Sequence, residues 1–283
     1  MSSPQLLSAH AGHWTGSGTG VTVIVPPPGT VGSGEVRGGA PASREFALLE
    51  PYRLVDRVDA VVLSGGSAFG LAAGDGVVGG LRALGRGFAT PLGPVPIVVG
   101  MSIFDRSVAA DPPSASSGAL AFEAALRGVP FTTGAVGAGA GATTGKWRSR
   151  LDPGGLGIAY GSAGPASVCA VVVVNAWGDV LAPDGSPLFA GTSALPSERG
   201  AGFNTTIGVL LTDAALAKND CFLLAQSGHT GFARALHPAH SRYDGDAVVA
   251  LATGEVDGAD LDLIRAAAAD TMAAAIRNAV FRA

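Results

Sequence analysis

The sequence predicts an α/β fold, in which strands and helices alternate along the chain. Short apolar runs of strand length are separated by longer segments of helical composition, and neither type is confined to one part of the chain. The run Val171-Val172-Val173-Val174 is apolar enough to form a strand that is buried on both faces. The 283 residues contain no internal repeat and can bury a sizeable core. Their number allows one large domain or two small ones, and we expect a single domain over residues 1–283.

The first half of the chain is predicted to contain three strands and three helices. Strands are expected at 21–25, 59–63 and 96–99, and helices at 44–49, 68–84 and 117–127. The segment Thr30–Ala42 is rich in glycine and is interpreted as a loop. Five glycines between residues 70 and 80 would destabilise an isolated helix. We therefore expect another element to pack closely against the helix at 68–84.

The second half is predicted to continue the alternation. Strands are expected at 157–160, 167–175, 207–211 and 247–252, and helices at 214–236 and 261–282. Between them, Gly178–Gly202 is rich in Pro, Ser, Gly and Ala and is interpreted as a surface linker. The linker leads directly to Asn204-Thr205-Thr206, after which the next apolar strand begins.

Composition and charge exclude several classes of partner. Charged residues make up only 14% of the chain, and 18 basic against 22 acidic residues give a net charge of −4. Nucleic acids and anionic membranes require a concentrated basic surface, so neither is expected as a partner. Cys169 and Cys221 are expected to be buried free thiols. No secretory signal and no membrane-spanning run is apparent, which favours a cytoplasmic protein. The partner expected from the chemistry considered below is a small-molecule or short-peptide substrate.

Thr205 is the candidate nucleophile. A Thr hydroxyl is a poor nucleophile unless a base lies beside it. If the chain cuts itself between Asn204 and Thr205, the new α-amine of Thr205 supplies that base, and the ordinary pKa of such an amine is about 7.7–8.0. We therefore hypothesise that the chain cleaves itself into residues 1–204 and 205–283 and that Thr205 then attacks amides or esters. The alternative is that Asn204-Thr205-Thr206 merely opens a strand.

Lys146 and Asn175 are candidates for supporting roles. Lys146 is one of two lysines in the chain and ends a glycine-rich stretch, so it is either a positioned, partly desolvated amine or a solvated loop residue. A phosphate-binding loop does not fit, because Ala140 and Trp147 stand where that motif requires Gly and Ser or Thr. Asn175 ends a buried strand, where its amide either stabilises an oxyanion or opens a turn.

Asp244 and Asp246 lie two residues apart before an apolar run, so both carboxylates are expected on one side of an extended chain. There they would hold the terminal ammonium or the Lys146 amine; the alternative is a turn signal that introduces a strand.

Other reactive side chains fit known sites less well. Ser67 is a weaker candidate nucleophile, because Phe69 replaces the second glycine of the serine-hydrolase elbow. The spacing of three histidines matches no zinc signature, so we interpret them as packing or supporting residues; they are His229, His237 and His240.

Several motifs occur together in a fixed order along the chain. They are Glu35-Val36-Arg37-Gly38-Gly39-Ala40-Pro41, Leu63-Ser64-Gly65-Gly66-Ser67-Ala68-Phe69-Gly70, Gly137 to Lys146, Asn204-Thr205-Thr206 and Tyr243-Asp244-Gly245-Asp246. Together they resemble the L-aminopeptidase/D-esterase (DmpA-like) family of self-processing hydrolases, which includes the β-aminopeptidases and the nylon-oligomer hydrolases. The resemblance covers about residues 20 to 280, and Asn-Thr-Thr is most similar to the nylon-oligomer branch.

This resemblance implies a four-layered αββα sandwich similar to that of the N-terminal-nucleophile hydrolases. It implies that Thr205 is the nucleophile, that Asn204 is left at the new carboxyl end, and that Asn175 stabilises the oxyanion. It also implies that Lys146 lies beside the nucleophile and that an acidic pair, Asp244 and Asp246, orients the nucleophile's amine. No metal or organic cofactor is expected. The protein is expected to be a homo-oligomer, namely a tetramer of cleaved pairs. A second oxyanion donor has no counterpart that we can assign.

Two other functions are compatible with the sequence. One is an acyltransferase of the ornithine acetyltransferase type, although those enzymes cut after a Lys-Gly type sequence and here Asn204 precedes the Thr. The other is an unprocessed, non-catalytic protein that binds a small molecule.

Overall fold

The computed structural model describes residues 6–189 and 204–280. The strands in these ranges are β1 (His10–Gly16), β2 (Thr19–Val25), β3 (Val31–Val36), β4 (Ser43–Arg44), β5 (Ala60–Ser64), β6 (Val98–Ser102), β7 (Thr143–Thr144), β8 (Asp152–Pro153), β9 (Gly155–Ala163), β10 (Ala166–Asn175), β11 (Asp179–Val180), β12 (Thr205–Ala214), β13 (Leu236–His237) and β14 (Ala247–Val256). The α-helices are α1 (Ser67–Gly70), α2 (Ala73–Ala83), α3 (Ala115–Leu126), α4 (Lys218–Ala235) and α5 (Leu261–Val280). Single 3-10 turns occupy Phe46–Leu49, Arg106–Ala109, Gly137–Gly139 and Lys146–Arg148.

Two five-stranded mixed sheets form the centre of the fold. The strand order is β1-β2-β5-β6-β4 in the first sheet and β3-β14-β12-β10-β9 in the second. Side chains from both sheets share one buried apolar cluster, so the sheets pack face to face. A second cluster joins the first sheet to α2 and α3, and a third joins the second sheet to α4 and α5. The layers are therefore αββα, as expected from the resemblance.

Strand β10 shows how this layering buries the chain on both sides. Val171 and Val173 belong to the cluster between the sheets, whereas Val172 and Val174 belong to the cluster beneath α4 and α5. Alternate residues of a strand point to opposite faces, so an unbroken apolar run fits a strand covered on both faces. The strand predicted at 167–175 is confirmed, and β10 ends on Asn175.

Two segments of the first half differ from the prediction. The glycine-rich stretch Thr30–Ala42 contains β3, which pairs antiparallel with β14. Because Gly32 and Gly34 lack side chains, this strand shows no alternation of apolar and polar residues and was not predicted. The packing requires glycine here, since a Cβ at Gly32 would lie 2.5 Å from a methyl carbon of Val58. The helix predicted at 44–49 is instead β4 followed by one 3-10 turn.

The segment interpreted as a surface linker is partly built into the fold. Its residues Asp179 and Val180 form β11, which pairs with β13, and both are buried. Residues 190–202 of that segment, and Phe203 before the expected cut, lie outside the described residues.

The close helix contact inferred from the glycine content is confirmed. The helix predicted at 68–84 is divided into α1 and α2, and α2 packs on α3. A Cβ at Gly76 would lie 1.9 Å from the carbonyl oxygen of Ala115, so only glycine permits this approach. Cys169 and Cys221 are buried free thiols, as predicted. Among the described residues, no helix combines the length and the apolar character needed to cross a membrane.

Candidate active site

Lys146 and Asn175 contact each other directly. The Lys146 Nζ donates hydrogen bonds to the Asn175 Oδ1 at 2.7 Å and to the Asn175 backbone oxygen at 3.1 Å. The Asn175 Oδ1 also accepts from the Thr143 N–H at 3.1 Å, and its Nδ2 donates to the Phe104 carbonyl oxygen at 2.9 Å. These contacts fix the Asn175 amide, which is held at the end of β10 with its NH2 group towards Phe104.

The environment of Lys146 favours its neutral form. Burial lowers the pKa of Lys146 from 10.5 to about 7, and the negative charge of Asp244 opposes this shift without cancelling it. An amine with this pKa is substantially deprotonated at neutral pH, which a solvated lysine is not. Of the two interpretations of Lys146, the structure thus favours the desolvated amine.

The peptide bond between Asn204 and Thr205 is held by backbone hydrogen bonds to Tyr243 and Gly245. Thr205 is the first residue of β12, is buried, and lies opposite Asn175 in the pairing with β10. Its Oγ1 donates to the Asn204 carbonyl oxygen, and the Gly245 N–H donates to that same oxygen at 2.9 Å. The Asn204 N–H donates to the Tyr243 carbonyl oxygen at 3.1 Å. The Thr205 hydroxyl therefore lies beside the carbonyl that self-cleavage would attack.

Asp246 fixes the residue after Thr205. Its Oδ1 accepts from the Thr206 N–H at 2.7 Å, and its Oδ2 accepts from the His240 backbone N–H at 3.0 Å. The His240 Nδ1 lies 2.8 Å from the same Oδ2. Asp246 thus anchors the start of β12 through Thr206.

Asp244 is satisfied by other partners. Its Oδ2 accepts from the Ser241 N–H at 3.0 Å and hydroxyl at 2.5 Å, and its Oδ1 accepts from the Trp177 N–H at 3.3 Å. Burial and the nearby Asp246 carboxylate raise the pKa of Asp244 above its ordinary range. Asp244 acts on Lys146 through its charge, with no hydrogen bond between the two side chains among the described contacts.

The motif that begins at Glu35 supports this acidic segment. The N–H groups of Arg37 and Gly38 both donate to the Asp246 carbonyl oxygen, at 2.9 and 3.1 Å. A Cβ at Gly38 would lie 2.2 Å from the Asp246 nitrogen, so glycine is required for the backbones to approach this closely. The motif therefore contributes through its backbone, by positioning Asp244 and Asp246.

A cavity of about 440 Å³ opens beside Lys146 and Asn175. Its lining residues come from the segment after β6, the glycine-rich run, the residue before β8 and the end of β10: Phe104, Asp105, Arg106, Gly141, Thr143, Lys146, Leu151 and Asn175. Thr205, whose hydroxyl is engaged by the Asn204 carbonyl, is not among them. Asp105 and Arg106 were not predicted from the sequence. They follow β6 and the apolar pair Ile103-Phe104, and a polar residue at the end of such an apolar run is the signal that identified Asn175.

The remaining candidates lie outside this group or support it. Ser67 adopts a left-handed φ of 54°, but no base contacts its hydroxyl among the described residues. The ring of His229 is buried against the Glu35 carbonyl oxygen, and burial lowers its pKa to about 3. His237 packs edge-on against Trp147, and His240 binds Asp246. No cluster of three or more potential metal ligands is found among the described residues.

Solved structures of aminopeptidases share this architecture. A β-aminopeptidase from Burkholderia sp. superposes with a TM-score of 0.73 at 22% identity, covering 96% of this chain and 84% of its own. The L-aminopeptidase D-Ala-esterase/amidase of Ochrobactrum anthropi, described as a variant of the Ntn-hydrolase fold, gives 0.72 at 20% identity, covering 96% and 83%. The fold is therefore that of the Ntn-hydrolase class of aminopeptidases.

Sequence comparison assigns the chain to one family of hydrolases. The chain belongs to peptidase family S58, whose model matches residues 6–283. An uncharacterised aminopeptidase of Mycobacterium bovis is 44% identical over 276 residues, spanning 89% of this chain and 78% of the relative. A 6-aminohexanoate-oligomer endohydrolase of Kocuria sp. is 32% identical over 275 residues, spanning 89% and 74%. The protein is thus a hydrolase of peptide or amide bonds, and the family predicted from the motifs is confirmed.

Proposed function

We propose that this protein is a self-processing amidohydrolase whose nucleophile is the N-terminal threonine produced by its own cleavage. The observation that carries the proposal is the arrangement around Asn204. Its carbonyl oxygen accepts from both the Thr205 hydroxyl and the Gly245 N–H. A nucleophile and an oxyanion donor therefore meet at one buried peptide bond.

In the first stage, the Thr205 Oγ attacks the Asn204 carbonyl carbon and gives up its proton to a base. Negative charge develops on the Asn204 oxygen, where the Gly245 N–H, 2.9 Å away, stabilises it. The bond to the Thr205 nitrogen then breaks, the nitrogen takes up a proton, and an ester joins Asn204 to the Thr205 Oγ. Water hydrolyses this ester, which leaves a carboxylate on Asn204 and a free amine and hydroxyl on Thr205.

In the second stage, the amine of Thr205 accepts the hydroxyl proton as the Oγ attacks the substrate carbonyl. Asn175 stabilises the tetrahedral oxyanion through its amide, which Lys146 and Phe104 hold in place. The acyl-enzyme is resolved by water. Asp244 and Asp246 orient the amine of Thr205, which must be uncharged to accept the hydroxyl proton.

The first stage needs a different base, because the Thr205 nitrogen is still an amide and cannot accept a proton. Lys146, with a pKa of about 7, is the amine beside Asn175 that can exist uncharged at neutral pH. Asn175 is the residue opposite Thr205 in the sheet, which brings the Lys146 amine to the same end of β10 and β12. We assign Lys146 as the proton acceptor for self-cleavage.

The substrates that fit this site are small amides and short oligomers. Relatives at 32% identity hydrolyse 6-aminohexanoate oligomers according to their names, and more similar relatives are named aminopeptidases. A cavity of about 440 Å³ accommodates a ligand of this size. We therefore propose ω- or β-amino-acid oligomers and amino-acid amides as the substrate class.

A denaturing gel with intact mass measurement tests the proposal. The wild-type protein should run as two fragments of 204 and 79 residues, the shorter beginning with Thr205. Thr205→Ala should run as one uncut chain and should hydrolyse no amide substrate.

Thr206→Val is the matched control. It removes the adjacent hydroxyl, which is buried and has no hydrogen-bond partner among the described residues, and it preserves side-chain volume. This variant should still cut itself and remain active. Uncut wild-type protein that turns over amides, or a Thr205→Ala chain that still runs as two fragments, would refute the proposal.

A further inference from the structure

We propose that Arg106 binds a carboxylate of the substrate, so that the active site selects amides that carry a free carboxylate group. This inference rests on the proposed function, because it takes the cavity beside Lys146 and Asn175 as the substrate site. Arg106 is one of the residues that line this cavity, and its side chain is exposed to solvent there.

Lys146, the other cation that lines the cavity, already has acceptors, and so do two arginines close to it in the sequence. The Lys146 Nζ is bound by Asn175. Arg148 and Arg150 both bind the buried carboxylate of Asp179, at 2.7 and 2.8 Å. In contrast, the Arg106 guanidinium makes no hydrogen bond or ion pair within residues 6–189 and 204–280. Arg106 is thus the lining cation whose donors remain available to a ligand.

The carboxylate next to Arg106 in sequence does not neutralise it. Asp105 is buried and directs both oxygens into the protein: Oδ2 accepts from the Thr19 hydroxyl at 2.7 Å. Its Oδ1 accepts from the Ser107 N–H at 3.0 Å and hydroxyl at 2.5 Å, and from the Gly66 N–H at 3.2 Å. These four bonds also fix the backbone from which Arg106 extends, so the guanidinium is attached to a rigid base.

The cavity combines polar and apolar lining residues. Phe104 and Leu151 line it together with Arg106, Lys146 and Asn175. Such a lining suits a substrate whose reacting carbonyl and free carboxylate are separated by an aliphatic segment. A guanidinium presents paired N–H donors that match the two oxygens of a carboxylate, which a neutral amide end does not offer.

Matched pairs of substrates test this assignment. Dipeptides and linear dimers of α-, β- and ω-amino acids are assayed as free acids and as C-terminal carboxamides, and kcat/KM is compared within each pair. The wild-type enzyme should prefer the free acid by about tenfold, as expected for a charge-assisted hydrogen bond at a partly exposed site. In Arg106→Gln this ratio should fall to about one, and Arg106→Lys should retain part of the preference.

Arg127→Gln removes the same charge from an exposed position at the end of α3 and should keep the wild-type ratio. Calorimetric titration with 6-aminohexanoate and 6-aminohexanamide gives a readout that does not require turnover: the acid should bind more tightly to wild type, and equally with the amide to Arg106→Gln. The proposal is overturned if wild type discriminates in neither assay or if the preference persists in Arg106→Gln. Failure of the proposed function would appear separately, as absence of the two fragments in wild type.

Discussion

The pKa of Lys146 leads to a quantitative prediction about stability. We consider Lys146→Met in a Thr205→Ala background, in which the chain is expected to stay in one piece and unfolding can be analysed as one transition. Methionine keeps an unbranched side chain of similar length and removes the amine. In the parent, burial lowers the pKa of Lys146 from 10.5 to about 7. At about 1.4 kcal/mol per pH unit, this difference corresponds to at most about 5 kcal/mol.

The sign follows from proton binding in the two states. Below about pH 7 the amine is protonated in both folded and unfolded chains, so this group adds no pH dependence. Between about pH 7 and pH 10.5 the unfolded chain retains the proton and the folded chain has released it. The unfolded state binds more protons there, so the free energy of unfolding of the parent should increase with pH, by at most about 1.4 kcal/mol per unit from this group.

Urea denaturation followed by circular dichroism from about pH 6 to about pH 10 measures this effect. The difference in unfolding free energy between Lys146→Met and the parent should favour the variant at the acidic end and decline steadily above about pH 7. Using the difference between the two chains cancels the titration of groups that do not interact with Lys146. Asp244 does interact with it, but burial raises the pKa of Asp244 only to about 6, so the comparison is made above about pH 7. Parallel pH profiles for the two chains would show that Lys146 titrates like a solvated lysine, and its assignment as the proton acceptor would then fail.

Two further predictions concern the body of the fold, each measured on the Thr205→Ala chain. Gly76→Ala should lower the unfolding free energy by about 1–3 kcal/mol, because the new Cβ would meet the backbone of α3. On the same helix, a Cβ at Gly79 would meet nothing within 4 Å, so Gly79→Ala should raise the unfolding free energy by about 0.5–1 kcal/mol. Equal effects of the two substitutions in a urea titration would contradict the close contact between α2 and α3. Burial raises the pKa of Cys169 and Cys221 to about 12. A thiol reagent such as DTNB should therefore label neither cysteine in the native protein and both after denaturation. Rapid labelling of the native protein would disprove the burial of these thiols.

Elements with a strong apolar pattern were predictable from the sequence. Strands β10 and β14 and helix α5 lie within a few residues of their predicted bounds, because their side chains decide which face is buried. Strand β3 was missed because Val31-Gly32-Ser33-Gly34 has too few side chains to show alternation, and its conformation is imposed by pairing with β14. The same holds for β11, whose two residues are ordered by a distant partner strand: Asp179 pairs with His237, 58 residues further along the chain.

The composition of the site was easier to predict than its contacts. Asn175 was predicted from its place at the end of a buried strand, and the resemblance implied that Lys146 lies beside Thr205; the direct contact between Lys146 and Asn175 was not predicted. The sequence could not show that Asp246 binds Thr206, because these residues are 40 positions apart and meet only after β12 and β14 have paired. The role of the Gly245 N–H was equally hidden, since every residue except proline carries such a donor and only the fold directs it at Asn204.

These contacts also explain how a cut chain would keep a usable nucleophile. In the proposed reaction the new amino terminus begins at Thr205, and a free terminus ordinarily loses its order. Here the next residue, Thr206, is held by Asp246 at 2.7 Å, and the strand from Ile207 onward is paired with β10 on one side and β14 on the other. Only Thr205 itself would gain freedom on cleavage. Its amine and hydroxyl would therefore remain beside Asn175 and Lys146, already oriented for the second stage.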